Sequence, residues 1–410
     1  MQNSSEIIQV SITGVDKPGI TSAITHILGK YNAKILDIGQ ANIHHSLSLA
    51  ILFMSENGNS GNILKEILFK ANKLEINVRF YALTKEEYSN WVKVQGKNRY
   101  IINILGKEIT AMHISEVSNV LLDFKLNIER IIRLTQRIPL DRIIDRTCFE
   151  FAVRGNLPNI REIQNKFLFL SSKLNIDIAL QEENRYRRMR RLICFDMDST
   201  LIQTEVIDEL AEKAGVGKEV KAITESAMNG DIDFSESFKR RIKLLKGLNE
   251  SVLKEIAEKL PITDGLERLM GVLKKSGFKT AIISGGFTYF GDYLKEKFGF
   301  DYVFANKLEI IDGKLTGNYI GDIVDGKKKA EYLKLISTFE NIDIQQTVAV
   351  GDGANDLPML SIAGLGIAFH AKQTVKQNAN HSLSTIGLDG ILYFLGYKDS
   401  SEDIEMKSFS

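Results

Sequence analysis

The chain has 410 residues, 44% hydrophobic and 26% charged, which is typical of a globular protein with two or three domains. Its 53 basic and 52 acidic side chains nearly cancel, so the charge of +1 favours neither a nucleic-acid nor a membrane partner. We expect no signal peptide, and no apolar run is long enough to span a bilayer. Cys148 and Cys194 lie in apolar runs, which indicates buried thiols and a cytoplasmic location.

Residues 1–90 show the order of a βαββαβ unit. The segment 7–13 alternates apolar and polar residues, which predicts a strand with one buried face. Pro18 and Gly19 predict a turn, and apolar residues then recur at helical spacing from Ile20 to Leu28. Further strands are predicted at 33–43, 47–53 and 76–83, with a helix at 63–71.

The same order of elements returns in residues 97–183, as expected for a second small α+β unit. Strands are predicted at 100–105, 128–134, 147–153 and 176–180, and helices at 117–124 and 160–170. A basic run, Arg185 to Arg191, follows this unit. It lacks the interleaved aromatic residues of a nucleic-acid surface, so we interpret it as a solvated junction between domains.

Residues 190–397 have a different pattern, in which fully apolar strands alternate with helices. The strands 192–195, 280–283 and 347–350 predict a parallel sheet that helices cover on both faces, an α/β fold. Ligands of such sheets bind beyond the carboxyl ends of the strands. We therefore expect the residues that follow these three strands to converge.

Each of the three strands ends in residues suited to phosphate chemistry. They are Asp196, Asp198 and Thr200 after the first strand, Ser284, Gly285 and Gly286 after the second, and Asp352, Asn355 and Asp356 after the third. An aspartate can be a nucleophile, and a second acid two residues on can transfer protons. Because close carboxylates repel each other, the group predicts a hard divalent cation, Mg²⁺.

The hydroxyl of Ser284 and the following glycine amides would cradle a phosphate at a helix start. A lysine among Lys327, Lys328 and Lys329 would balance its charge. Each pattern alone is usually a turn, a cap or a solvated face. Three such clusters in one domain favour phosphoryl transfer instead.

The ordered motifs DxDST, SGG, lysine and GDGxND resemble those of the haloacid dehalogenase-like phosphohydrolases. Residues 190 to 395 resemble more narrowly the phosphoserine phosphatases, notably in 205–216, 219–247 and VAVGDGANDLPML. The resemblance implies a Rossmann-like core with a helical cap at about 203–261. It also implies Mg²⁺-dependent hydrolysis of O-phospho-L-serine through an aspartyl-phosphate, the last step of serine biosynthesis.

The resemblance also implies roles for individual residues. Asp196 is the expected nucleophile and Asp198 the acid/base. The Mg²⁺ ligands would be Asp196, the backbone carbonyl of Asp198, and Asp352, supported by Thr200 and Asp356. The expected phosphate and substrate contacts are Ser284, Gly285, Lys329 and Asn355.

Two charged residues would read the rest of the substrate. The resemblance assigns Glu205 to the substrate ammonium and Arg241 to its carboxylate, for which the arginine fork is suited. Without the resemblance, both would be interpreted as helix-surface charges. Met228 and Phe234 would form an apolar wall of the cap, or simply pack in its core.

GVDKPGITSAITHIL and NAKILDIGQ resemble the opening of an ACT domain, a module that often binds amino acids at subunit interfaces. Where this first unit has Asp16 to Gly19, the second has Gly106 to Thr110, so the second is a degenerate ACT-like unit. The resemblance implies a homodimer and serine as a possible effector. Packing and dimerisation alone are an equal alternative.

Two other functions stay open. One is hydrolysis or transfer of the phosphate of another small phosphomonoester. The other is an amino-acid-responsive regulatory protein with an inactive catalytic domain, although Asp196, Asp198, Ser284 and Asp352 are all present.

Overall fold

The structure is a computed structural model that describes residues 5–56, 58–96, 98–142, 145–228 and 231–399. Its contacts divide the chain into two compact units, Met1–Lys97 and Asn98–Ser410. In the described residues, no helix is both long and apolar enough to cross a membrane.

The first unit contains the predicted βαββαβ order. Its elements are β1 (Glu6–Val15), α1 (Ile20–Lys30), β2 (Lys34–Ile43), β3 (Ser46–Ser55), α2 (Ser60–Leu74), β4 (Asn77–Leu83) and α3 (Lys85–Val94). The antiparallel sheet has the order β2-β3-β1-β4. Alternate strand residues such as Val10, Ile12, Ile51 and Phe53 are fully buried under α1 and α2. Helix α3, which the sequence reading did not predict, starts with a capping box and buries none of its residues.

The second unit begins with the repeated order. Its elements are β5 (Arg99–Gly106), α4 (Ala111–Asp123), β6 (Asn127–Arg133), β7 (Thr147–Arg154), α5 (Ile160–Leu174) and β8 (Asp177–Glu182). The sheet order is β6-β7-β5-β8. One face packs on α4 and α5 through residues such as Ile102 and Phe151. On β8, Gln181 donates from Nε2 to the carbonyl of Phe394 across 2.9 Å, which ties this sheet to the chain's later segment.

The rest of this unit is a seven-stranded α/β domain. Its elements are β9 (Leu192–Phe195), α6 (Val206–Ala214), α7 (Gly217–Met228), α8 (Phe234–Leu244), α9 (Ser251–Glu258), α10 (Leu266–Lys275), β10 (Lys279–Phe287), α11 (Thr288–Phe298), β11 (Tyr302–Ile311), β12 (Lys314–Ile320), α12 (Gly326–Phe339), β13 (Thr347–Gly351), α13 (Leu357–Ile362), β14 (Leu365–Phe369), α14 (Gln373–Asn378), β15 (His381–Leu383) and α15 (Ile391–Phe394). The strand order is β12-β11-β10-β9-β13-β14-β15.

The central strands of this sheet are buried on both faces. All residues of β9, β13 and β14 are buried, as expected of strands between two layers of helices. The predicted parallel α/β fold is confirmed for β11-β10-β9-β13-β14-β15. The edge differs, because β12 pairs antiparallel with β11 as a hairpin that the sequence reading did not predict. The limits 1–90, 97–183 and 190–397 stay predictions.

Helices α6 to α9 form an insert after β9. The chain enters and leaves it side by side, because Gln203 donates its N–H to the carbonyl of Pro261 and Thr263 donates to Leu201, at 2.8 and 3.0 Å. Phe238 of α8 contacts Tyr319 of β12 edge to face, with ring centroids 5.7 Å apart. The insert thus lies over the sheet edge that carries the strand-end residues.

Candidate active site

The predicted strand-end acids meet at one point. Asp196 directly follows β9, Asp352 directly follows β13, and Asp356 closes the short 3₁₀ turn after it. One carboxylate oxygen from each of these three residues lies within 4.8 Å of the other two. Neighbouring parallel strands β9 and β13 end at the same edge, which is why distant sequence segments converge.

A buried lysine joins two of the three acids. Lys329 Nζ lies 2.8 Å from Asp196 Oδ1 and 2.7 Å from Asp356 Oδ1, and its side chain has no exposed area. Burial alone would lower the pKa of Lys329, but these two carboxylates raise it above its ordinary value. The first turn of α12 aims Lys329 inward, whereas Lys327 is exposed and Lys328 pairs with carboxylates outside the site.

The remaining negative charge is not balanced by this lysine. Burial, and next the charge of Asp196, raise the pKa of Asp352 to about 8 and that of Asp356 to about 6. Thr200 donates from Oγ1 to Asp352 Oδ1 across 3.2 Å, which fixes one oxygen of that carboxylate. A compact set of carboxylate oxygens with excess negative charge fits a hard divalent cation. The donor set therefore suits a metal ion at this point.

Asp198 lies against the serine-glycine segment. Its Oδ1 accepts the N–H of Val206 at 3.1 Å, so the start of α6 holds the carboxylate. A Cβ at Gly286 would lie only 2.5 Å from Asp198 Oδ2, so this close approach requires glycine. Burial, followed by the charges of Glu205 and Asp196, raises the pKa of Asp198 well above its usual range. The shift favours the protonated form of this carboxyl group.

The sequence predicts a helix start at Ser284 to Gly286. In the structure these residues lie instead in an irregular end of β10. The strand continues to Phe287, and its pairing with β11 shifts register between Ile283 and Phe287. Gly286 donates its N–H to Ser284 Oγ across 2.9 Å, so that amide is engaged within the segment. The Ser284 hydroxyl, with no exposed area, and the Gly285 amide remain as the candidate phosphate cradle.

Asn306 is a residue that the sequence reading missed. It lies in β11 with 1% of its surface exposed. Its Nδ2 donates to the carbonyl of Gly285 at 2.8 Å, and its Oδ1 accepts the N–H of Val324 at 2.9 Å. Asn306 thus joins the serine-glycine segment to the loop before α12. A polar residue within the apolar strand 302–311 was the available signal, since buried amides require partners.

Glu205 and Arg241 lie at the insert side of the site. Ser199 donates from Oγ to Glu205 Oε1 across 2.9 Å, and Ser199 has a left-handed backbone with φ of 57°. Arg241 of α8 is partly buried, and its Nε donates a long hydrogen bond of 3.4 Å to the carbonyl of Ser237. Burial lowers the pKa of Arg241, although Glu205 and Asp208 partly offset this. Within the described residues, no carboxylate lies within ion-pair distance of its guanidinium.

The aromatic wall of the insert meets the serine-glycine segment directly. A Cβ at Gly285 would lie 2.8 Å from Phe234 Cζ, so the first residue of α8 covers this glycine. Phe234 stacks on Phe238, with ring centroids 6.3 Å apart. The side chain of Met228 lies outside the described residues. Asn355, in the 3₁₀ turn beside Asp356, is partly buried at the same edge of the sheet.

Comparison with known proteins agrees with this geometry. The haloacid dehalogenase-like hydrolase family matches residues 193–361, and the ACT domain family matches residues 6–81. A phosphoserine phosphatase of Streptomyces coelicolor is 35% identical over 97% of this chain and 93% of its own length. Phosphoserine phosphatase SerB2 of Mycobacterium tuberculosis is also 35% identical, over 95% of this chain and 93% of its own length.

Among solved structures, a haloacid dehalogenase family hydrolase from Salmonella enterica serovar Typhi is 33% identical, with a TM-score of 0.61. The match covers 72% of this chain and 98% of that protein. The whole-length similarity, together with the site geometry, establishes the family. The chain belongs to the phosphoserine phosphatase family of the haloacid dehalogenase-like hydrolases.

Proposed function

We propose that this chain hydrolyses O-phospho-L-serine to L-serine and phosphate, using Mg²⁺ and an aspartyl-phosphate intermediate. The observation that carries the proposal is the contact of Asp196 with the buried Lys329, beside Asp352 and Asp356. An aspartate so placed lies next to a cation that is able to receive phosphate oxygens. The whole-length similarity to enzymes named phosphoserine phosphatase supports the choice of substrate.

In the first step, a carboxylate oxygen of Asp196 attacks phosphorus and the bond from phosphorus to the serine oxygen breaks. Asp198 gives its proton to that leaving oxygen, so neutral serine hydroxyl departs. The raised pKa of Asp198, caused first by burial, favours its protonated form and so supports this role. The product of this step is phosphorylated Asp196 and an ionised Asp198.

In the second step, Asp198 takes a proton from water, and the water oxygen attacks the phosphorus of the aspartyl-phosphate. The bond between phosphorus and Asp196 breaks, which frees phosphate and restores both acids. Ser284, Gly285 and Lys329 hold the phosphate oxygens in both steps. Asn306 keeps this cradle and the lysine helix in one arrangement, through its contacts with Gly285 and Val324.

Asp196, Asp352 and the backbone carbonyl of Asp198 would hold Mg²⁺, with Asp356 and Thr200 supporting them. When bound, the ion supplies positive charge that lowers the repulsion between phosphate and the acids. The cluster of carboxylate oxygens within 4.8 Å is the support for this assignment.

Arg241 and Glu205 select the amino-acid part of the substrate. Arg241 is partly buried without a carboxylate partner among the described residues, so a substrate carboxylate would complete its environment. Ser199 holds Glu205 in one orientation, where its carboxylate would accept the substrate ammonium. Phe234 covers Gly285 from the insert and would limit water at the phosphate. Asn355 would line the same pocket.

The test is Mg²⁺-supported phosphate release by the full-length protein, with O-phospho-L-serine compared with a panel of small phosphomonoesters. Highest kcat/KM for phosphoserine supports the proposal, and faster hydrolysis of another ester rejects this substrate. Adding homoserine as an acceptor distinguishes hydrolysis from phosphotransfer. No turnover of any ester would favour the regulatory alternative.

We also propose serine as an effector of the first ACT-like unit. Its Asp16 accepts a hydrogen bond from Asn42, and Gly19 has a φ of 94°, a turn that glycine favours. Serine titration of the full-length protein should change turnover, and Asp16→Ala should remove that change. Unaltered turnover in both proteins rejects the effector role. The homodimer, the cytoplasmic location and the three domain limits stay predictions.

A further inference from the structure

An arginine-rich cleft lies in the second unit, away from the site described above. Its volume is about 230 Å³, and its lining includes Arg187, Arg188, Arg190, Arg191, Phe278 and Tyr397. We call it the arginine cleft. Its arginines belong to the basic run that the sequence reading interpreted as a solvated junction.

The arginine cleft lies at the opposite edge of the seven-stranded sheet from the catalytic acids. Arg191 directly precedes β9 and Phe278 directly precedes β10, whereas Asp196 and Ser284 lie at the other ends of these strands. The four residues of β9 separate Arg191 from Asp196, and the five residue steps between them correspond to roughly 16 Å. A ligand in the cleft would therefore not overlap the phosphate cradle.

Only two of the four arginines have carboxylate partners among the residues that the structure describes. Arg187 pairs with Glu150 at 2.5 Å, and Arg188 lies 3.8 Å from Glu183. Arg190 is 8% exposed, and its Nη1 donates only to backbone carbonyls, at 2.8 and 3.1 Å. Within the described residues, neither Arg190 nor Arg191 has an ion-pair partner. The cleft thus holds about two more positive than negative charges.

Buried hydrogen-bond donors are also left over at this point. The Nε atoms of Arg187 and Arg190 are buried and have no hydrogen-bond partner in the part of the chain that the structure describes. Burial, and next the charge of Arg187, lower the pKa of Arg190 to about 10. An uncompensated buried cation is costly, so proteins seldom keep one without a counter-ion. A bound anion in the cleft would supply the missing negative charge beside Arg190 and Arg191.

We propose that the arginine cleft binds a small organic anion through a phosphate or carboxylate group. Guanidinium groups suit both, because their planar donor forks match the oxygen geometry of each. Phe278 and Tyr397 line the cleft beside the arginines and would contact an apolar part of the ligand. The site is separate from the catalytic one and does not depend on the proposed substrate.

The test is isothermal titration calorimetry of inorganic phosphate, and separately of succinate, into the full-length protein without divalent metal. Phosphate should bind the wild type at two sites, of which Ser284→Ala removes only the catalytic one. Arg190→Gln and, as a safer exposed change, Arg191→Gln should weaken the other site by about tenfold each, the cost of one charge-assisted contact. The tighter of the two probes identifies phosphate or carboxylate as the preferred group.

Lys334→Gln is the matched control, because it removes an exposed positive charge from α12 of the same unit. It should leave both binding sites unchanged, and the melting temperature of each variant checks its folding. Loss of all anion binding in Ser284→Ala would overturn the proposal. So would unchanged phosphate and succinate binding in Arg191→Gln.

Discussion

Asn306 Nδ2 donates a hydrogen bond to the carbonyl oxygen of Gly285 across 2.8 Å, from a side chain that is almost fully buried. The other end of the same amide accepts from Val324, just before the helix that carries Lys329. One side chain therefore joins the segment that carries Ser284 to the helix that carries Lys329, the two proposed phosphate contacts.

Asn306→Leu should lower kcat/KM for phosphoserine by about 100-fold, since small displacements of positioning groups cost this much. Weaker inhibition by inorganic phosphate should accompany the loss, because the cradle itself is displaced. Thr280→Val is the matched control: it removes a partly buried hydrogen bond to Asp301, 3.0 Å long, at the far end of β10, the strand that carries Gly285. Equal kinetic losses in both variants would mean that Asn306 acts only through stability.

Arg241→Ala should reduce kcat/KM for phosphoserine by roughly 10- to 100-fold, the value of a hydrogen bond to a charged group. Hydrolysis of O-phosphoethanolamine, which lacks the carboxylate, should change little. The neighbouring Arg240→Ala removes an exposed arginine that pairs with Glu236, and it should leave both substrates unaffected. Parallel losses on the two substrates after Arg241→Ala would exclude carboxylate recognition.

Removal of divalent metal with EDTA should stop turnover, and added Mg²⁺ should restore it. Mg²⁺ should also raise the melting temperature of the wild type, because a ligand that binds only the folded state stabilises it. Asp352→Asn removes a charge from the carboxylate cluster, so its melting temperature should respond much less. Turnover that persists in EDTA, with no thermal response to Mg²⁺, would argue against the metal site.

Stability at acidic pH should depend on His381. Burial lowers the pKa of His381 from 6.5 to about 4, against the raising effect of the Leu180 and Gly366 carbonyls. Because the pKa of His381 is lower in the folded state, the unfolded chain binds the extra proton between pH 6.5 and about 4. The free energy of unfolding therefore decreases as the pH falls through this range. The full decrease in the free energy of unfolding is roughly 3 kcal/mol. Urea unfolding of wild type and His381→Gln across this range measures it, and identical pH dependence would refute the assignment.

The convergence of the strand-end acids could be predicted because parallel strands end at a common edge and their apolar runs are easily recognised. The polar contacts around the site could not be predicted from the sequence. Asn306 acts through tertiary contacts with Gly285 and Val324, which lie 18 or more residues away in the chain. The antiparallel edge strand β12 is short and half-polar, so its pattern does not separate it from a loop.

Other differences have local causes. The expected helix start at Ser284 is instead an irregular strand end, since Gly285 and Gly286 allow Phe234 and Asp198 to approach the backbone. The solvated junction expected at the basic run contains two buried arginines, Arg187 and Arg190. Burial of these two arginines depends on Glu150 of β7 and on the carbonyl of Gln345 just before β13. Both partners are distant in the chain, so the basic run alone does not reveal them.

Asp196 is the residue proposed to carry the phosphoryl group during turnover. Rapid acid quenching during phosphoserine turnover, followed by peptide mass spectrometry, tests it directly. We expect a phosphorylated peptide whose modified residue is Asp196, and neither phosphopeptide nor turnover in Asp196→Asn. Undiminished turnover in that variant, or a phosphoryl group on another residue, would contradict it.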